Sequence, residues 1–233
     1  MKSILSANKA NRLFWLGRYA ERGYIMLHLM RKAYDEVIDV PVGEVPYSEF
    51  LKKMDVYVSN EMTTSYQMMD QIYNPETVTS LRSIIEMMMD NAIVLRSEIL
   101  SESFSYIELC RDLIRAKSAT RETNITELQP ITDWLLAFWG CIRERVHGDT
   151  YALLEIGRLL EHLDMCIRFD YKYYRIEETW EMIQKYTRSY PDMFDAVQAA
   201  RLHALIIDKE AFKKDPQDYK NKVLNGINCL VLV

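Results

Sequence analysis

Trp15-Leu16-Gly17-Arg18-Tyr19-Ala20-Glu21-Arg22 and Glu155-Ile156-Gly157-Arg158-Leu159-Leu160-Glu161-His162 share one pattern, G-R-x-x-E followed by a basic or potentially basic residue. At about 100° per helical residue, Arg18 and Arg22 stand on one side of the first segment, with Glu21 about 60° from Arg18. That side is not conventionally polar: Phe14, Ile25 and Leu29 flank one edge, and Trp15 and Met26 the other. In the second segment Arg158 and His162 share a side bordered by Met165, Cys166 and Phe169, with Glu161 nearby. A helix that is apolar almost all round belongs at the centre of a bundle, where its charges need internal partners. The fold expected is therefore all-α: a single-domain antiparallel helical bundle with two related central G-R-x-x-E helices. Shared ancestry, or two facing helices solving one packing problem, accounts for the repetition. Gly17 and Gly157 permit close helix approach, although each costs about 1 kcal/mol of helix propensity relative to alanine.

The rest of the chain agrees with this frame. Its 233 residues are enough for one sizeable core, and 7 Gly and 6 Pro against 15 Tyr, 13 Met and 4 Trp argue against a turn-dense or disordered chain. Helix one is expected from Ser6 or Asn8 to about Asp39, ahead of Pro41 and Gly43, and a second from Ser48 to about Tyr73, ahead of Asn74-Pro75. Thr79 or Ser80 caps a third to about Ser97, and Ser101 or Ser103 starts a fourth to Ala119. Thr123 or Asn124 caps a helix containing Pro130 and running toward Val146. The corner His147-Gly148-Asp149 opens the next, to roughly Tyr174. Further helices cover Glu177 to Arg188 and Phe194 to Lys209, with a short one after Pro216. Brief connections predict antiparallel neighbours, and no linker divides residues 1–233.

The functional reading centres on the inward charges. Arg18, Glu21, Arg22, Arg158, Glu161 and His162 would form one internal polar layer, joined by Asp90, Asn91 and Arg96 on a buried-looking helix. Such a layer is either a register-fixing Arg/Glu network or an anion pocket. In the pocket, arginines act as forked donors and Glu21 or Glu161 binds a cation or moves a proton. No catalytic residue is assigned. No metal site is expected, because Cys110, Cys141, Cys166 and Cys229, like His28, His147, His162 and His203, are scattered without ligand spacing; the thiols read as buried and free. The formal charge of -5 gives no reason to expect nucleic acid. The apolar block Trp134 to Ile142 falls short of the roughly 20 residues that span a bilayer, and the first residues lack an export signal, so a cytoplasmic protein is expected. Tyr171, Tyr173 and Tyr174 read as packing residues rather than a base-stacking platform, Met68-Met69 and Met87-Met89 as adaptable core, and INCLVLV as a segment that packs back or meets a partner.

The stretches ILSANKANRLFWLGRYAERG, MDNAIVLRSEI and LLEIGRLLEHLDMCIRF resemble the alpha-E family of predicted all-helical bacterial proteins with Glu-Arg signatures. Leu5-Ser6, Trp15, Gly17-Arg18-Tyr19 and Glu21-Arg22 follow the family pattern, as do Asn91-Ala92, Arg96, Gly157-Arg158, Glu161 and Asp164. Ile93 and His162 stand where arginines are usual. The resemblance implies an alpha-E-like domain over 1–233 and a place in peptide or amide-bond metabolism, beside an ATP-grasp protein and transglutaminase-like proteins. No P-loop, H-E-x-x-H or G-x-S-x-G occurs, so ATP and Mg are expected on a partner and no cofactor on this chain. The leading expectation is an accessory or binding protein for an ATP-grasp-like ligase or its peptide substrate. An amide-transfer or hydrolytic enzyme using an internal Arg/Glu pocket is the alternative, and a structural or oligomerisation protein, possible as a homo-oligomer, is the third.

Overall fold

The computed structural model describes residues 5–38, 51–54, 70–120 and 125–232. Its named elements are α1 (Ala7–Ile38), α2 (Leu81–Val94), α3 (Arg96–Ile99), α4 (Ser101–Thr120), α5 (Gln129–Arg145), α6 (Gly148–Arg168), α7 (Tyr173–Ser189), α8 (Ala196–Ile207), α9 (Lys209–Lys214) and α10 (Pro216–Asn228). Short 3-10 turns cover Ile125–Leu128 and Pro191–Met193, and one isolated antiparallel bridge joins Phe194 to Val231. The all-α, helical-bundle expectation holds. The chain forms two compact units: one holds α1 up to Arg18 together with the residues from Ala152 onward, and the other runs from Tyr19 to Tyr151.

Local chemistry explains where the helices start and stop. Ser6 Oγ accepts from the Lys9 N–H at 3.4 Å, so Ser6 rather than Asn8 caps α1. Ser80 caps α2 by accepting from the Ser83 N–H at 3.1 Å, while its hydroxyl donates to the Asn74 carbonyl at 2.6 Å. α2 stops at Val94 rather than continuing to Ser97, because the Leu95 N–H is shared between the Asn91 and Ala92 carbonyls at 3.2 and 3.1 Å. Leu100 then takes a left-handed φ of 68° before Ser101 restarts the chain as α4. Pro130 sits in the first turn of α5, where its missing N–H removes no helical bond.

α6 ends six residues before the expected Tyr174. Asp170 enters the left-handed region at φ 56°, and the Tyr171 N–H returns to the Cys166 carbonyl at 3.0 Å, closing the helix with a Schellman-type bond. At its other end Gly148, at φ 65°, makes the corner, one residue ahead of the expected cap Asp149. Asp195 and Asp208 cap α8 and α9 through their side chains, and Asp215 caps α10. The second expected helix, Ser48 to Tyr73, lies mostly outside the described residues, as do Thr123, Asn124 and Met68-Met69.

In the unit from Tyr19 to Tyr151, α4 packs against both α2 and α5. Ile84, Ile85 and Met88 of α2, Ile107 and Ile114 of α4, and Leu135 and Phe138 of α5 are fully buried there. In the other unit α8 packs against α7 and α10, with Trp180, Ile183, Leu202, Val223 and Ile227 in one core. The terminal INCLVLV packs back: Leu230 is buried, its carbonyl accepts from the Asp195 N–H at 2.9 Å, and the Leu232 N–H donates to the Met193 carbonyl at 3.0 Å. All four cysteines are free, but Cys141 is half-buried and Cys229 exposed, so only Cys110 and Cys166 match the expected burial.

Candidate functional site

Within the unit that holds α1 up to Arg18, the two glycines of the G-R-x-x-E segments meet backbone. A Cβ built on Gly17 would overlap the Leu154 carbonyl oxygen and lie 3.2 Å from the Arg158 nitrogen. A Cβ built on Gly157 would overlap the Phe14 carbonyl oxygen and lie 3.1 Å from the Arg18 nitrogen. Phe14 and Leu154 each precede a glycine by three residues, so the contact is the same read in either direction. Only glycine lets two helices approach this closely, with Cα–H groups against carbonyl oxygens.

That approach places the arginine after Gly17 against the acids of α6. Arg18 is 4% exposed, and its Nε donates to Glu161 Oε2 at 2.7 Å, on a residue with 0% exposure. Arg18 Nη2 lies 3.8 Å from Asp164 Oδ2, and its guanidinium carbon stands 5.3 Å from the Trp15 ring centroid and 5.9 Å from that of Phe14. Aromatic faces are favourable cover for a cation withdrawn from water. Asp164 also accepts from Arg168 Nε, and Arg158 forks onto Glu155, its Nε donating at 2.8 Å. Arg18 is thus paired with the buried acids Glu161 and Asp164, Asp164 is shared with Arg168, and Arg158 pairs with the buried Glu155. Burial, then the neighbouring Glu161 charge, pushes the Asp164 carboxyl above its ordinary 3.8, against the opposing pull of Arg168 and Arg18.

Of the charged residues singled out in the sequence, Arg18 and Glu161 meet directly. His162 is half-buried on α6. Glu21, buried, and Arg22, half-buried, belong to the Tyr19 to Tyr151 unit, as do Asn91 and Arg96. Asn91 Nδ2 donates to the Met87 carbonyl of its own helix at 2.9 Å. Arg96 and Asp90 correct the expectation of a buried helix: both are exposed, with Ile93 at 54% and Val94 at 43% beside them. Asp90 and Arg96 fall on the outer side of a segment whose Met89, Ala92, Leu95 and Ile99 stay buried, and Arg96 lies across the Phe104 ring at 4.6 Å. Glu155 and Arg168 were not singled out, and Asp164 only through the resemblance. The available signal was acid-to-arginine spacing of three, Glu155 to Arg158, and of four, Asp164 to Arg168, which aligns partners on one helix face. Among the described residues no group of three or more His, Cys, Asp or Glu side chains is placed to hold a metal, and no helix is long and apolar enough to cross a membrane.

The family model Alpha-E, described as a predicted alpha-helical domain with a conserved ER motif, matches residues 5–208. The chain belongs to the Alpha-E family. The Alpha-E match includes Glu21-Arg22 as well as the Arg18, Glu161 and Asp164 cluster, and it ends in α9's cap, leaving α10 beyond it. Comparison with curated proteins and with solved structures gives no match to this Alpha-E chain.

Proposed function

We propose that this Alpha-E chain is an accessory, non-catalytic protein that works beside an ATP-grasp-like ligase in peptide or amide-bond metabolism, binding the ligase or its peptide substrate. The observation that carries this reading is the commitment of Arg18 to the fully buried Glu161. A guanidinium serving as an anion clamp has to present its fork to a ligand, whereas this one is turned onto its own protein. In such a chain ATP and Mg belong to the ligase, and a transglutaminase-like protein acts in the same metabolism. The two G-R-x-x-E segments serve as the matched seam of the scaffold, a role supported by the reciprocal Gly17 and Gly157 contacts. The whole operates in the cytoplasm.

The test is to purify the native chain gently, identify retained proteins and ligands by mass spectrometry, and measure ATP-dependent amide formation by the associated ligase with and without it. Retention of the ligase and a change in product formation are expected. No association together with no effect on product formation would sink the reading.

One observation favours a second reading, in which the chain itself performs amide transfer or hydrolysis. Burial, then the Glu161 charge, raises the Asp164 carboxyl above the usual carboxylate range, the direction a general acid needs. That reading expects a turnover by the isolated chain that Asp164→Asn or Glu161→Gln abolishes while the fold persists. Unchanged turnover in both variants would remove it.

A further inference from the structure

Tyr219 on α10 is 2% exposed, and its hydroxyl has no hydrogen-bond partner among the described residues. Its ring stands edge-on to Phe212, with centroids 5.2 Å apart and planes at 84°. The same phenylalanine packs against the Tyr173 ring at 5.3 Å. The two phenols therefore flank one ring, and Tyr173 donates its own proton to the Ile206 carbonyl. Once that proton is used, the Tyr173 oxygen still accepts. A buried hydroxyl left without a partner costs about ten- to a hundredfold in the folding equilibrium, and native interiors meet such costs with an ordered water that takes two to four bonds.

We propose that Tyr219 and Tyr173 hold one internal water molecule: the Tyr219 hydroxyl donates to the water, and the water donates to the Tyr173 oxygen, whose proton goes on to the Ile206 carbonyl. The relay ties α10, α7 and the end of α8 together. Both phenols are suited to it as neutral donors, since burial raises the pKa of each, and Tyr173 is the foremost charge influence on Tyr219 after burial. The charges of Glu177 and Asp208 also raise the pKa of both phenols, which keeps the hydroxyls protonated. The Lys209 ammonium is engaged by Glu177 at 3.0 Å and lies over the Tyr173 ring at 5.0 Å.

The experiment is a double-mutant cycle on the full chain with Tyr219→Phe and Tyr173→Phe, read by equilibrium urea unfolding. If the water is shared, Tyr219→Phe lowers the folding constant about tenfold, and the two losses are non-additive by at least about threefold. An unchanged or raised folding constant in Tyr219→Phe would identify a hydroxyl with nothing to lose and overturn the proposal. Additive losses would overturn the shared relay. Should Tyr219→Phe not fold, a high-resolution crystal structure of the unaltered chain decides: a water about 2.6–3.2 Å from both phenol oxygens upholds the relay, and its absence removes it.

Discussion

Replacing Gly157 by alanine should destabilise this protein, although alanine is the better helix former. In a helix interior the exchange gains about 1 kcal/mol of propensity. Gly140, in α5, shows the unopposed gain, since an added Cβ there meets nothing within 4 Å. At Gly157 the methyl group would occupy the position of the Phe14 carbonyl oxygen. A carbonyl in α1 cannot swing aside as a flexible side chain does, so the helices must separate. Separation loosens Phe14, Ile156 and Leu160, all buried, and lengthens the Arg18 to Glu161 bond from 2.7 Å. Overpacking typically costs about 1–3 kcal/mol, and weakening a buried ion pair adds to it, so the expected net loss is about 1–3 kcal/mol after the propensity gain. Urea unfolding followed by circular dichroism should show a lower unfolding free energy for Gly157→Ala and for Gly17→Ala, and one higher by no more than about 1 kcal/mol for Gly140→Ala. A Gly157→Ala protein as stable as Gly140→Ala would show that the seam is not tight and that the reasoning fails.

Three further outcomes follow from the same chemistry. Arg18→Met should cost about 3–5 kcal/mol in a urea titration, because it takes the guanidinium away from a carboxylate at 0% exposure, and adding Glu161→Met should recover part of the loss. Asp164, whose folded pKa lies above 3.8, binds its proton more tightly in the native state; its contribution to stability is therefore full below that value and declines as pH rises through the folded pKa. The stability difference between the unaltered chain and Asp164→Asn should accordingly fall as pH is raised from about 4, and a flat or rising difference in unfolding measurements would contradict the assignment. Ser80→Ala should lose about 0.5–2 kcal/mol, measured by thermal or urea unfolding, since it removes the α2 cap and the bond to the Asn74 carbonyl.

The central helices were legible because their pattern leaves no polar side: from Leu13 to Met30, and from Ala152 to Ile167, buried positions run almost round each helix. Arg18 and Glu161 could be marked as inward charges for the same reason. Their mutual pairing could not, because it depends on how far the glycines let two distant segments close. The end of α2 misled for the opposite reason. Ile93 and Val94 look like core by composition, yet they follow the core-facing Met88, Met89 and Ala92 onto the exposed side. The length of α6 was overestimated because an aspartate, Asp170, supplies the left-handed residue that sequence reading looks for in glycine or asparagine. Tyr219 gave no signal at all, since an orphan hydroxyl is a property of its surroundings.

The division of the chain has a bearing on how it is born. The unit from Tyr19 to Tyr151 is one uninterrupted stretch, whereas its companion needs α1's beginning and everything from Ala152. Arg18 precedes its partner Glu161 by 143 residues, which at about 5–20 residues per second is roughly 7–29 s of synthesis. During that interval the start of α1 has left the ribosome with Phe14, which shares a core with Ile156 and Leu160 in the finished fold, still lacking α6. The inserted unit has its whole sequence available while the glycine seam waits. Synthesis order therefore leaves the first turns of α1, up to Arg18, waiting for their partner helix after the residues from Tyr19 to Tyr151 have all been made.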